Sequence, residues 1–458
     1  MQSMLTNKTA KALALGTLTA LSSVTAQADD QQLLDTLLKN GTITPAQHSE
    51  LTGQQVAEKQ AEAKKVAEPK GSDVLVKFGK KGFRVETADE KFKFKIGGRM
   101  HVDATFNAND KDFDQRGTEG VEVRRARLAV SGVLWHDYKY KAQFDFADND
   151  LAIKDLFVKY TGFDWFNITV GNQKQAISLE LQNSSNDMPF TERSLVSSLT
   201  VPMFDRAIGL RIDSSGKNWS TQLGFYGDNI GKNGIQVNDE GWGVSSRVTF
   251  APIMTKKHIL HVGASAGYRA TSDEGTTLKY KYETTHMSNL YFTNAKVTDV
   301  DGVTLADVEA AYMFGSFSVQ AEYAHTWIER EGMGGVDFGA YYVQAAWTLT
   351  GESRNYKGSY GKFKRLKPAN EFSWSKGTWG AVELATRFDG NDLNSGDIQG
   401  GEEHAVTVAL NWYLNQNVRL MADYRYAFDV TNSAVKDVNG SEIDGGTHDF
   451  TFRTQLTF

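Results

Sequence analysis

Phe450-Thr451-Phe452-Arg453-Thr454-Gln455-Leu456-Thr457-Phe458 ends the chain. Phe450, Phe452, Thr454, Leu456 and Phe458 share one face of a period-two pattern, and Thr451, Arg453, Gln455 and Thr457 share the other. Side chains alternate across a strand, so this stretch reads as a strand with one greasy face, one polar face and a terminal aromatic. Soluble sheets also use such strands. A strand that closes an exported chain on Phe458 fits the last strand of a transmembrane β-barrel.

The same alternation recurs upstream. His404, Val406, Val408, Leu410 and Trp412 alternate with Ala405, Thr407, Ala409, Asn411 and Tyr413; Tyr138, Tyr140, Ala142 and Phe144 alternate with Lys139, Lys141, Gln143 and Asp145. About sixteen such segments can be drawn, starting near residues 92, 121, 138, 151, 166, 205, 217, 241, 258, 304, 316, 338, 375, 403, 417 and 447. An even number suits a bacterial single-chain barrel, in which every second connection is a short turn. Trp135-His136-Asp137, Asp164-Trp165, Ser214-Ser215-Gly216, Gly315 and Asn415-Gln416-Asn417 supply short turns, and residues 173–204, 271–302 and 432–446 supply long loops on the other side. Residues 351–375 break the rule, being long where a short periplasmic turn is due.

The composition agrees with this class. The 458 residues include no cysteine, 42 glycines and only 6 prolines, so a disulfide-stapled scaffold is excluded. Charged residues make up 23 % and mean hydropathy is −0.43, as expected where only alternate residues meet lipid. Lys8 and Lys11, the short apolar run from Ala12 to Val24, and Ala26-Gln27-Ala28 form a secretory signal over residues 1–28, with Asp29 as the expected mature start. Losing Lys8 and Lys11 and no acid moves the net charge from −6 to −8. No apolar run is long enough for a spanning helix. Residues 29–70 are rich in helix formers, with a break at Asn40-Gly41 and an apolar set Leu33, Leu34, Leu37 and Leu38; they read as a short periplasmic helical segment, either a coiled-coil tether or a helical leader. Residues 71–458 are then an all-β, antiparallel transmembrane barrel.

Residues about 92–458 resemble the family of phosphate-selective porins O and P. The resemblance rests on Gly171-Asn172-Gln173-Lys174, Leu179-Glu180, Ser184-Ser185, Phe190, Glu192-Arg193-Ser194-Leu195 and Arg206-Ala207-Ile208-Gly209, supported by Arg124-Arg125-Ala126-Arg127-Leu128 and Asn411-Trp412-Tyr413. It implies a homotrimeric outer-membrane porin whose third outer loop, here about residues 173–204, folds into the lumen. Phe458 is similar to the C-terminal signal read by the barrel-assembly machinery. Where phosphate-selective members carry a key loop lysine this chain has Leu181, and where they place tyrosines and an aspartate it has Arg127, Lys174 and Lys154. The expectation is a wider-ranging anion pore.

A pore selects ions through lumen charge at a narrow constriction. The alternation puts Arg125, Arg127, Lys139, Lys141, Arg211 and Arg247 on the lumen face, and the resemblance adds Lys154, Lys174 and Arg193 at the constriction. These nine residues are the expected anion pathway for small anionic solutes such as phosphate or polyphosphate. Arg269, Arg387, Arg425 and Arg453 also face inward, as do Asp145, Glu309, Glu322, Glu383 and Asp423, so cross-strand pairing competes with an open-pore role. The long inner connection carries Arg354, Lys357, Lys362, Lys364, Arg365 and Lys367 and reads as solvated loop charge, with anion capture or peptidoglycan contact as functional alternatives.

Enzymatic readings find little. Gly263-Ala264-Ser265-Ala266-Gly267 matches a serine-hydrolase elbow, but that chemistry needs a strand-to-helix turn and this stretch reads as mid-strand. The nine histidines lack zinc-ligand spacing, and no phosphate-cradling Gly-Lys-Ser/Thr loop is present. No cofactor, metal or nucleic acid is expected. A structural barrel tethering the envelope through residues 29–68, or a barrel enzyme, are the alternatives to a channel.

Overall fold

The computed structural model describes residues 32–67, 73–79, 82–108, 111–230, 240–271, 275–283, 285–443 and 445–458, with side chains of 59–67 left aside. The signal read over 1–28 lies outside these residues. The chain divides into two units, residues 1–73 and 74–458.

In the first unit, residues 32–39 form helix α1 and Pro45–Ala67 form helix α2. Gly41 takes φ +67° just past α1, the left-handed position that ends a helix. Thr44 and Gln47 make a capping box: the Gln47 side chain accepts from the Thr44 N–H at 2.9 Å, and the Thr44 hydroxyl accepts from the Gln47 N–H at 3.3 Å.

In the second unit sixteen antiparallel strands close on themselves. They are β1 Lys93–Ala108, β2 Gly120–Leu134, β3 Tyr138–Asp145, β4 Ala152–Tyr160, β5 Asn167–Lys174, β6 Arg206–Ser215, β7 Trp219–Tyr226, β8 Trp242–Met254, β9 His258–Ala270, β10 Val300–Phe314, β11 Phe317–Arg330, β12 Val336–Thr348, β13 Ala381–Ser395, β14 Ile398–Tyr413, β15 Val418–Thr431 and β16 His448–Thr457. Each pairs with its sequence neighbour, and β16 returns to β1 from His448↔Ala108 to Thr457↔Arg99. Closure leaves no strand edge among the sixteen, the condition for crossing a bilayer with sheet. The hairpin Val74–Gly79/Gly82–Thr87 docks beside the start of β1 through Phe83↔Ile96 and Val85↔Phe94.

Phe458 completes the seam. Its N–H donates to Gly98 O (3.2 Å), and the Gly98 N–H donates to Phe458 O (3.0 Å). A Cβ on Gly98 would stand 2.6 Å from the Phe458 ring and 2.7 Å from Arg127 O, so the seam needs glycine there for space.

The pleat sorts the residues as the sequence predicts. Leu210, Ile212, Leu223, Phe225, Val248, Val262, Val343, Leu384, Leu410 and Phe452 are exposed on the outer face, while Asp103, Arg125, Arg247, Glu309, Glu322, Asn411 and Arg453 are buried inside. Aromatic contacts gather at both strand ends: Phe92, Trp135, Tyr138, Tyr160, Phe163 and Phe166 at the short-turn end, and Trp242–Tyr268 and the Tyr341–Phe388–His404–Phe428 group towards the other.

Candidate functional site

Three connections fill the lumen unevenly. Residues 175–205, between β5 and β6, carry the short helices α3 Leu179–Gln182 and α4 Ser197–Phe204. The β9–β10 loop contains the hairpin Leu278–Lys281/Asn294–Val297. Both pack on the inner wall of β10–β13: Ile177, Leu181, Val196, Leu199 and Phe204 meet Tyr280 and Val297 and the wall residues Val303, Leu305, Ile328, Phe338 and Tyr342. These wall residues form an apolar patch on the lumen side, so the loops are held there by burial of apolar area.

Polar clamps fix the loop's path. Wall acids accept its N–H groups: Glu322 from Glu180 (3.0 Å), Asp423 from Thr191 (2.7 Å) and Asp389 from Leu195 (2.9 Å). Wall donors take its carbonyls: Arg419 to Met188 O (2.7 Å), Asn411 to Pro189 O (2.7 Å), Arg453 to Thr191 O and Arg387 to Glu192 O (3.1 Å). Two lumen arginines expected from the alternation, Arg387 and Arg453, therefore serve as anchors. Ser265 belongs to the same set. It lies mid-strand in β9 and not at a strand-to-helix turn, accepts from Ser178 N and donates to Asp307 (3.0 Å each), and so holds loop backbone.

The long inner connection is not solvated loop. Its hairpin Asn355–Lys357/Lys362–Lys364 turns back into the lumen. Arg247, fully buried, pairs with Glu309 (2.5 Å) and donates to Gly361 O (2.8 Å). Arg354 makes three bonds of 2.7–2.9 Å to buried Glu383, Tyr356 reaches His261 (2.7 Å), and Lys362 reaches Gln182 O (3.4 Å). The basic stretch finds carboxylate, carbonyl and histidine partners in the barrel's interior, which accounts for a connection longer than a turn.

Among the described residues, a cavity of about 820 Å³ stays open on the β1–β7 side. Among the described residues it is lined by thirteen Lys or Arg against six Asp or Glu. Seven of the nine expected pathway residues line it: Arg125, Arg127, Lys141, Lys154, Lys174, Arg193 and Arg211. Lys139 is exposed and Arg247 fully buried, and neither lines it. Arg99, Arg124, Arg206, Lys281, Lys362 and Lys364 also line it and were not among the residues expected.

Two β-bulges explain part of that difference. His101 pairs with Arg125 and Asp103 with Glu122, so Val123 and Arg124 both oppose Val102; Val123 stays outside and Arg124 turns inward beside Arg125. In β4, Gln143 pairs with Asp155 and Phe144 with Ile153, leaving Lys154 as the extra residue, and Lys154 and Asp155 both line the cavity. Strict alternation sends one of each such pair to lipid. Arg99 follows the alternation of β1 and was legible. Lys362 and Lys364 were not, because only the folded connection brings them inside.

The lining cations divide by partner. Arg127 pairs with Asp145 (2.6 Å), Lys141 with Asp155, and Arg206 with Asp155 (2.9 Å) and Asp205 (3.2 Å). Arg99, Lys154, Lys174, Arg193 and Lys362 make no ion pair with a carboxylate among the described residues. Arg99 donates to Ser185 (2.9 Å) and Ser184 (3.2 Å), Arg193 to Asn183 O (3.2 Å), and Lys174 to Leu181 O and Asn183 O (3.2 Å for the latter). Leu181 replaces the lysine the resemblance leads one to expect, and the Lys174 ammonium sits on its carbonyl. Burial opposes a charge at Glu192, but Arg124, Arg125 and Arg453 outweigh it and hold its carboxyl well below the usual range. Burial, aided by Lys364, lowers the Lys362 ammonium to about 7.

The family model of phosphate-selective porin O and P matches residues 94–458. The chain belongs to that family. Porin O of Pseudomonas aeruginosa is 26 % identical over 428 residues, covering 85 % of this chain and 93 % of the relative. An uncharacterized protein of Caulobacter vibrioides is 29 % identical over 344 residues, covering 72 % and 68 %. Among solved structures, the anion-selective porin from Comamonas acidovorans aligns at TM-score 0.53 and 13 % identity, covering 80 % of this chain and all of that one. The loop-deleted OmpT of Vibrio cholerae aligns at 0.52 and 11 %, with 80 % and 100 % covered. The protein is an outer-membrane porin, and its family and fold point to a channel.

Proposed function

We propose that the barrel is a water-filled diffusion channel that favours small oxyanions such as phosphate or polyphosphate, works as a homotrimer in outer-membrane lipid, and is inserted by the barrel-assembly machinery through Phe458. In this reading residues 1–28 are a removed secretory leader and residues 29–70 a periplasmic helical segment. The observation that carries the anion preference is the lining itself: thirteen cations against six acids in a chain whose net charge is −6. Cations are concentrated on the open wall, where a low-dielectric constriction focuses their field on a passing ion. Arg99, Lys154, Lys174 and Arg193 supply donors not already neutralised, and Arg127, Lys141, Arg125 and Arg211 add partly paired charge around them. The Comamonas acidovorans neighbour that shares this fold is an anion-selective porin.

Planar-bilayer reversal potentials in a KCl gradient test the reading. Anion preference is expected, and a weaker one after Arg99→Gln with Lys154→Gln; cation preference in the unaltered protein would overturn it.

A further inference from the structure

Most buried charge pairs of this lumen are private. Arg247 with Glu309, Arg425 with Glu403 and Arg354 with Glu383 each join one arginine to one carboxylate that is fully buried. Glu192 departs from that pattern. Its carboxylate is shared by three guanidiniums and is 22 % exposed to the cavity. Arg124 meets it fork to fork, Nε to Oε1 at 2.8 Å and Nη2 to Oε2 at 3.0 Å; Arg453 Nη2 reaches Oε1 at 2.9 Å; both terminal nitrogens of Arg125 stand at 3.4 Å. Among the described residues Arg124 and Arg125 have no other side-chain partner, whereas Arg453 also grips Asp103 at 2.6 and 2.7 Å.

Two further observations separate this carboxylate from a structural one. The Glu192 backbone is held without it, by Arg387 on its carbonyl, by Asp423 on the preceding Thr191 and by Tyr282 on the following carbonyl of Arg193. The side chain can therefore swing into the cavity while the loop stays fixed. The β2 bulge, which turns Arg124 inward beside Arg125, also brings two forked donors to one point where regular pleating supplies one. Paired guanidinium forks match the two oxygens of a carboxylate or the edge of a phosphate.

We propose that Arg124, Arg125 and Arg453 form a binding site for forked oxyanions, a carboxylate or phosphate group of a passing solute, and that Glu192 fills it as a tethered, displaceable carboxylate. This rests on reading the lumen as an anion path. In the resting pore Glu192 keeps the site from trapping anions, and an arriving oxyanion exchanges with it. Phosphate and carboxylate solutes share the chemistry.

The test is block of chloride current through the purified, folded porin in planar bilayers by inorganic phosphate and, separately, by succinate. Glu192→Gln keeps the side chain's volume and removes its charge. The half-blocking concentration is expected to fall about tenfold for at least one probe, since charge-assisted forks are about twice as strong as neutral hydrogen bonds. Adding Arg124→Gln should return it to the starting value. Response to phosphate alone would assign the site to tetrahedral oxyanions, and response to both to any forked oxyanion. Half-blocking concentrations unchanged for both probes, in protein shown folded by heat-modifiable migration, would overturn the proposal. Should Glu192→Gln not fold, Glu192→Asp, whose shorter carboxylate withdraws from the forks, is expected to show a smaller fall, and no fall overturns the proposal equally. A cation-preferring reversal potential in the unaltered protein would sink the anion-path reading, yet tighter phosphate block would still establish this site.

Discussion

Arg247→Met should release the inner hairpin without unfolding the barrel. The Arg247 guanidinium is fully buried, makes 2.5 and 3.1 Å bonds to Glu309, and donates to Tyr360 O (3.4 Å) and Gly361 O (2.8 Å). Methionine fills much of the same volume but offers no donor. Breaking a buried pair on one side costs about 3–5 kcal/mol, because a charge is left uncompensated. His261 still donates to Glu309 at 2.9 Å, so the lower end of that range applies. The loss falls on the hairpin, which holds only short paired segments, and not on the closed sheet. At 1.4 kcal/mol per tenfold, about 3 kcal/mol raises the open population about a hundredfold. Trypsin reads that population at Lys357, Lys362 and Lys364 when opening and closing are fast relative to cleavage. The assay is the rate at which fragments ending at these lysines appear from folded protein in detergent. Arg247→Lys should recover only part of the protection, since an ammonium lacks the planar fork. Cleavage within twofold of the unaltered rate would refute the idea that Arg247 pins the hairpin.

Three further outcomes follow. Gly98→Val puts side-chain atoms where Phe458 and Arg127 O already stand at 2.6 and 2.7 Å, so it should destabilise the barrel by the about 1–3 kcal/mol typical of overpacking and lower the heat-modifiable folded fraction, while Gly334→Ala, with open space around it, should not change it. Lys362 carries its charge below about pH 7 and loses it above, so anion preference measured by reversal potential should decline as pH rises through that value, and Lys362→Met should remove this step. Asp423→Asn weakens the acceptor for the Thr191 N–H and hydroxyl (2.7 and 2.9 Å), which should show as noisier single-channel current with little change in global unfolding.

Much of the fold was legible because a barrel writes itself into local sequence. Period-two alternation needs only neighbouring residues, and the expected strand starts fall within a few residues of those observed, the widest gap being 375 against Ala381. The terminal strand through Phe458 and the parity of short and long connections follow from the same pattern. Pore residues were less legible, because alternation assigns a face and not a partner. It placed Arg453, Arg387 and Arg247 inside, but whether an inward arginine meets an ion or a loop carbonyl depends on residues up to 262 positions away, as for Arg453 and Thr191.

The sequence by itself determined the sheet, its closure and the cationic stock of the lumen, since each rests on side-chain periodicity and composition. Tertiary structure decided which cations remain available. An apolar patch on the inner side of β10–β13 draws the two outer loops to one side, a buried Arg247–Glu309 pair draws the inner hairpin up, and two bulges turn Arg124 and Lys154 into the space left over. The physical reason is range: alternation is a property of adjacent residues, whereas desolvated charges must find partners wherever the closed barrel brings them.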